Sequence, residues 1–143
     1  MSWTFYKKHV KSAWVSWGSN KPVMKKPWGT EKVWSGFGSI HGKTLFIDKG
    51  KRTSLKYHRH KSEVLMFRKG KAEVMLGNEL TLHDPIGHPF KIEIVSAGDS
   101  LMVQSGSPYR ITALENCEII EIGTIASDPP VRIEDDFGRV KKK

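Results

Sequence analysis

Two histidines, His58 and His60, stand two residues apart within the stretch KGKRTSLKYHRHKSEVLMFRKG at residues 49–70, and Glu63 follows three residues later. Imidazole and carboxylate together suit zinc, iron, manganese or nickel, so this grouping can supply a metal site. Successive side chains on a strand point to opposite faces, which would put Lys56, His58 and His60 on one face. If that face lines the inside of a barrel, two imidazoles and a carboxylate from the next strand can converge on one point. On a solvated strand the same pair would be inert. The elements around it therefore decide its role.

Those elements read as short strands separated by turns. Strands are expected at residues 31–34, 43–48, 53–60, 63–68, 72–76, 91–95, 100–104, 109–114 and 118–123. Gly36-Phe37-Gly38, Asp48-Lys49-Gly50, Lys69-Gly70-Lys71, Gly77-Asn78 and Ala97-Gly98-Asp99 supply turn chemistry between them. Residues 81–89, with two prolines and Gly87, read as a loop or an edge. Many short strands with no helical periodicity among them predict an all-β sandwich or closed barrel. Pro129-Pro130 is expected to break any further strand, leaving the charged run from Arg132 to Arg139 to form ion pairs over a barrel end.

The chain has 143 residues and a formal net charge of +9, from 24 Lys and Arg against 15 Asp and Glu. The excess sits at the ends. Six lysines lie in the first 30 residues, which contain no acid, and Lys141, Lys142 and Lys143 close the chain. Removing those nine leaves 15 basic residues against 15 acids, so residues 31–140 are formally neutral. A nucleic-acid partner is not expected from such a body, and the basic ends read as solvated tails. No apolar run approaches the length of a membrane span and no signal-peptide pattern opens the sequence, so a cytoplasmic protein is expected. Cys117 is the sole cysteine, which excludes an intramolecular disulfide and a cysteine-based zinc site.

Residues 1–25 form a basic, Trp-rich extension. Trp3, Tyr6, Val10, Trp14 and Trp17 recur at helical intervals, and Gly18 followed by Ser-Asn-Lys-Pro would stop such a helix. Large aromatic rings usually bury against protein, so an arm laid over the barrel or a partner subunit is preferred to a helix on a membrane or nucleic acid. The division expected is an arm at residues 1–25 and a single barrel domain at residues 26–143.

Residues 49–70 and 98–113 resemble the two motifs of the cupin superfamily, whose fold is a double-stranded β-helix or jelly-roll barrel. More narrowly, KPWGTE at residues 26–31, SLKYHRHKSE at residues 54–63 and VRIEDDFGR at residues 131–139 resemble the C-terminal isomerase domain of type II mannose-6-phosphate isomerases. The resemblance spans residues 26–139, and its last segment is the most specific. It implies a homodimeric, metal-assisted interconversion of mannose 6-phosphate and fructose 6-phosphate through an enediol. Zinc is the first choice of metal, with nickel, iron or manganese as alternatives. His58, His60, Glu63 and Tyr109 would be the ligands. Lys56 would carry the proton, and Lys61, Arg132 and Arg139 would recognise phosphate, Lys61 and Arg132 also serving the reaction.

The sequence departs from that pattern at informative places. Lys56 stands where the isomerases usually have Gln, and Lys61 where they have Arg. Tyr109 replaces the ligand histidine of the second motif, Gln104 its proline and Ala113 its asparagine. A tyrosine ligates only after losing a proton from a group of pKa about 10, and an ammonium beside a dication is repelled. A non-catalytic sugar- or sugar-phosphate-binding cupin, with or without a metal, is therefore the alternative expectation.

Overall fold

The computed structural model describes residues 15, 23–37, 39–126 and 128–140; the helical stripe expected within residues 1–25 lies outside them. The described strands form two antiparallel sheets. β2 (Gly29–Phe37), β3 (Ile40–Ile47), β5 (Glu63–Lys69), β8 (Ser100–Val103) and β10 (Cys117–Thr124) join β1 (Val23–Lys26) in a six-stranded sheet of order β1-β2-β3-β10-β5-β8. β4 (Leu55–Tyr57), β6 (Lys71–Leu76), β7 (Lys91–Ser96), β9 (Tyr109–Ala113) and β11 (Val131–Glu134) form a second sheet of order β11-β4-β9-β6-β7. This is the jelly-roll architecture of the cupin fold. No helix among the described residues is long and apolar enough to cross a membrane.

Alternation along the strands builds the interior between the sheets. Leu65 and Phe67 of β5, Val74 of β6, Ile111 of β9 and Ile119 of β10 are all buried, and each such side chain contributes roughly 1.5–3 kcal/mol by leaving water. Gly70 carries the chain from β5 of one sheet into β6 of the other. Its φ of 90° is open to glycine, and a Cβ there would sit 2.3 Å from the Asn116 carbonyl oxygen.

The structure corrects four local expectations. β4 is shorter than residues 53–60: the Thr53 carbonyl accepts from Arg110 Nε at 2.9 Å, and the His58 carbonyl accepts from Gly106 N at 2.7 Å. Tertiary partners thus take the backbone groups that a longer strand would pair. Residues 79–83 form a one-turn helix, α1 (Glu79–His83), because the Asn78 side chain accepts from Leu80 N and Thr81 N as an N-cap. β1 and β11 fall outside the expected strands, each adjoining prolines. Pro129-Pro130 leads into β11 instead of excluding it, as an edge strand tolerates.

Candidate functional site: a charged pocket at the open end of the barrel

Each inward file changes from apolar to charged toward the same end of the barrel. On β10, Ile119 gives way to Glu121; on β5, Leu65 gives way to Glu63; on β3, Leu45 gives way to Lys43 and His41. Register then fixes the rows. His41 of β3, Gly123 of β10 and Glu63 of β5 lie side by side, and Lys43, Glu121 and Leu65 form the row beneath. Gly123 is a spatial requirement here. A Cβ at that position would meet His41 Nε2 at 2.8 Å, the Ser62 carbonyl oxygen at 2.9 Å and Glu63 Cβ at 3.1 Å.

The opposite sheet contributes a second row. Arg132 of β11 pairs in register with Lys56 of β4, which pairs with Tyr109 of β9. Lys56 Nζ lies 4.7 Å from the centre of the Tyr109 ring, a cation–π distance. Between the two rows is a cavity of about 390 Å³. Lys26, Lys43, Lys56, Lys61, Arg132 and Arg139 line it, against the carboxylates of Glu31, Glu121 and Asp128. Six lining cationic side chains thus face three lining carboxylates, with Glu63 behind Lys61 and Tyr109 and Asp135 behind Arg139.

The ion pairs inside are dense. Lys61 Nζ lies 3.0 Å from Glu63 Oε2 and 3.2 Å from Glu121 Oε2. Lys43 Nζ contacts Glu31 Oε1 at 2.9 Å and Glu121 Oε2 at 3.4 Å. The Tyr109 hydroxyl donates to Glu63 Oε1 at 2.5 Å. Glu63 Oε2 and His41 Nε2 are buried without a directed hydrogen bond, since the close approach of Lys61 to Glu63 is an ion contact poorly aligned for donation. At the rim, Arg132 Nε is likewise buried and unpartnered, whereas Arg139 is held by Asp135 through Nε and Nη2.

Burial and these neighbours set the protonation states. Burial raises the Glu63 carboxyl, but the Lys61 ammonium and the Tyr109 hydrogen bond outweigh it and bring it down to about 2. Glu121 moves the other way, raised by burial and by Glu63. Burial lowers Lys56 to about 8, with Glu63 and Glu121 opposing. His58 falls to about 4, chiefly through burial. His41 falls to about 4 through burial and the charges of Lys61 and Lys43. Burial, then Glu63, pushes the Tyr109 hydroxyl well above its ordinary range. The pocket thus holds neutral imidazoles, an ionised carboxylate and an amine that titrates near neutrality.

The structure brings together His58, Glu63, Tyr109, Lys56, Lys61, Arg132 and Arg139, but not His60. His58 Nε2 reaches to 3.9 Å from Glu63 Oε1, while the His60 ring is 76% exposed and its Nδ1 lies 3.1 Å from Asp128 Oδ2. The alternation that would put both histidines on one face stops with β4 at Tyr57, and the chain bends at residues 59–60. Tyr109 is a hydroxyl donor in this arrangement. A different set, His41, Glu63 and Glu121, has ligand atoms all within 4.8 Å of one another and is a grouping that could hold a metal ion. Sequence reasoning missed His41, Lys43, Glu31 and Glu121. The available signal was a charged residue at an inward position of an otherwise apolar strand, as Glu121 is in CEIIEIG.

Solved structures share the fold. KdgF from Halomonas sp. is 17% identical with a TM-score of 0.64, over 80% of this chain and 96% of that one. An RmlC-like cupin from Shewanella frigidimarina is 18% identical with a TM-score of 0.64, over 82% and 95% of the two chains. The capsular polysaccharide assembling protein CapF from Staphylococcus aureus matches at 13% identity with a TM-score of 0.62, over 78% of this chain and 31% of that longer one. No protein-family model matches the chain, and no curated protein does.

Proposed function

We propose that the pocket binds an anionic sugar, a sugar phosphate in the first instance, with no metal required for binding. The observation that carries this reading is the buried, unpartnered Arg132 Nε at the rim of a cavity where cationic side chains outnumber carboxylates. The half-buried guanidinium has its Nε shielded from water without a partner, and its planar donors match a phosphate bidentately. Lys56, its neighbour in register, extends the cationic row inward. Glu31, Glu121 and the neutral His58 are then available to sugar hydroxyls. A cavity of about 390 Å³ has the size of a small-ligand site. The sequence resemblance to mannose-6-phosphate isomerases and the sugar-related name of CapF among the similar structures favour the same ligand class.

A second reading, aldose–ketose isomerisation, is favoured by the proton-transfer groups on the two walls. Lys56 titrates near 8, close to the pH at which a general base works best, and Glu121 is a carboxyl raised by burial. Lys56 would take the proton from C2 of open-chain mannose 6-phosphate as O1 gains one, giving the enediol, and its return to C1 as O2 gives its proton up would give fructose 6-phosphate. A divalent metal, zinc in preference to nickel, iron or manganese, would polarise the sugar oxygens, with His41, Glu63 and Glu121 as its holders once Lys61 moved aside. Nuclear magnetic resonance of mannose 6-phosphate incubated with the protein in D2O separates the readings. Deuterium appearing at C2, and lost in Lys56→Met, supports isomerisation; binding without exchange supports the first reading. By resemblance we also read the chain as a homodimer, which light scattering on the purified protein tests.

A further inference from the structure

We propose that the Lys61 ammonium occupies a divalent-cation position, and that His41, Glu63 and Glu121 become a cation site when this ammonium is removed. The inference concerns the inside of the barrel and is independent of which sugar enters it.

Four observations converge. Lys61 Nζ sits between two carboxylate oxygens, 3.0 Å from Glu63 Oε2 and 3.2 Å from Glu121 Oε2, where a metal would bridge them. The ligand atoms of His41, Glu63 and Glu121 are within 4.8 Å of one another. Glu63, with a side chain 1% exposed, keeps Oε2 without a directed donor, and His41 Nε2 is buried without a hydrogen bond, 3.6 Å from Glu121 Oε2. Gly123 leaves the space between His41 and Glu63 that a side chain would close. Two carboxylates and one imidazole nitrogen are a hard, mixed donor set suited to zinc or manganese.

The ammonium and a dication exclude each other at this distance. Lys61 supplies one positive charge between two carboxylates, with Lys43 adding a contact to Glu121 at 3.4 Å. Lys61 arrives from the loop before β5 and not from a strand, so its side chain can be removed without altering the rows that hold the three ligands. The native chain is thus a metal-independent version of a site whose ligands are still assembled.

Calorimetric titration of metal-stripped protein with zinc, and separately with manganese, tests this. Lys61→Met is expected to gain one cation site at least 100-fold tighter than any in the native protein, and to lose it in Lys61→Met/His41→Ala. Removing the ammonium strands two carboxylates, so thermal unfolding is measured alongside: zinc should raise the midpoint of Lys61→Met and leave that of the native protein unchanged. Lys61→Gln, which retains a donor toward the carboxylates, is the second variant should Lys61→Met not fold. Native protein binding zinc as tightly as the variants would overturn the proposal. So would folded variants that gain no site, or a gained site that survives loss of His41. The titration contains no sugar, so these outcomes leave the anionic-sugar reading standing.

Discussion

The Tyr109 hydroxyl and the Glu63 carboxylate meet at 2.5 Å at the base of the pocket, joining β9 of the five-stranded sheet to β5 of the six-stranded one. Both side chains are buried, so the bond is shielded from competing water. Tyr109→Phe removes the donor and leaves Glu63 Oε1 without it in a dry site. The expected cost is about 1–3 kcal/mol of folding stability, measured by denaturant titration. Glu63→Gln, which keeps an acceptor for the hydroxyl but removes its charge, should instead disturb Lys61 as well.

The acid side of the stability profile follows from the two neutral histidines. In the unfolded chain each takes a proton near 6.5, but in the folded chain His41 and His58 do so only at about 4. The unfolded state therefore binds more protons between those values, and stability is lost as pH falls from 6.5 toward 4. Glu63 acts lower down. Its folded value of about 2 lies below the unfolded 4.5, so its contribution is present above 4.5 and lost as pH falls through about 2. Thermal midpoints measured from pH 7 to 4 should fall, and His41→Gln should flatten the slope.

Ligand affinity should have its own pH dependence on the alkaline side. The Lys56 ammonium loses its proton near 8, so the charge it offers an anion is present below that value and lost above it. Affinity for a sugar phosphate should fall between pH 7 and 9.5. Lys56→Met should bind more weakly at pH 7 and show little further change on raising the pH.

Arg132 and His60 make a matched pair of tests. Arg132→Ala removes a charge-assisted contact of about 1.5–3 kcal/mol, which corresponds to roughly 10- to 150-fold in affinity. Arg132→Lys keeps the charge but loses the planar donors and should recover only part of it. His60→Ala removes an exposed ring that touches the cavity lining only through Asp128, and should change affinity far less than Arg132→Ala.

The barrel was legible because strand alternation and glycine turns are local signals. Leu65, Phe67 and Ile119 announce an inward file wherever the chain is read. The pocket was only half legible. Glu63, Lys56, Tyr109 and Arg132 sit in recognisable motifs, whereas His41, Lys43 and Glu121 come from strands whose partners are far away in sequence. Their meeting depends on register: Gly123 opposes both His41 and Glu63, which no local pattern encodes. His60 illustrates the converse. Its alternation with His58 is a valid strand rule, but β4 ends at Tyr57 when tertiary hydrogen bonds claim the backbone around it.

The central claim is that this pocket recognises an anionic sugar without a metal, and calorimetric titration of chelator-treated protein with mannose 6-phosphate and with mannose tests it most directly. The account predicts one saturable site for the phosphorylated sugar, unaffected by chelation, much weaker for mannose and weakened in Arg132→Ala. Equal affinity for both sugars, no binding of either, or binding that disappears with the chelator would contradict it.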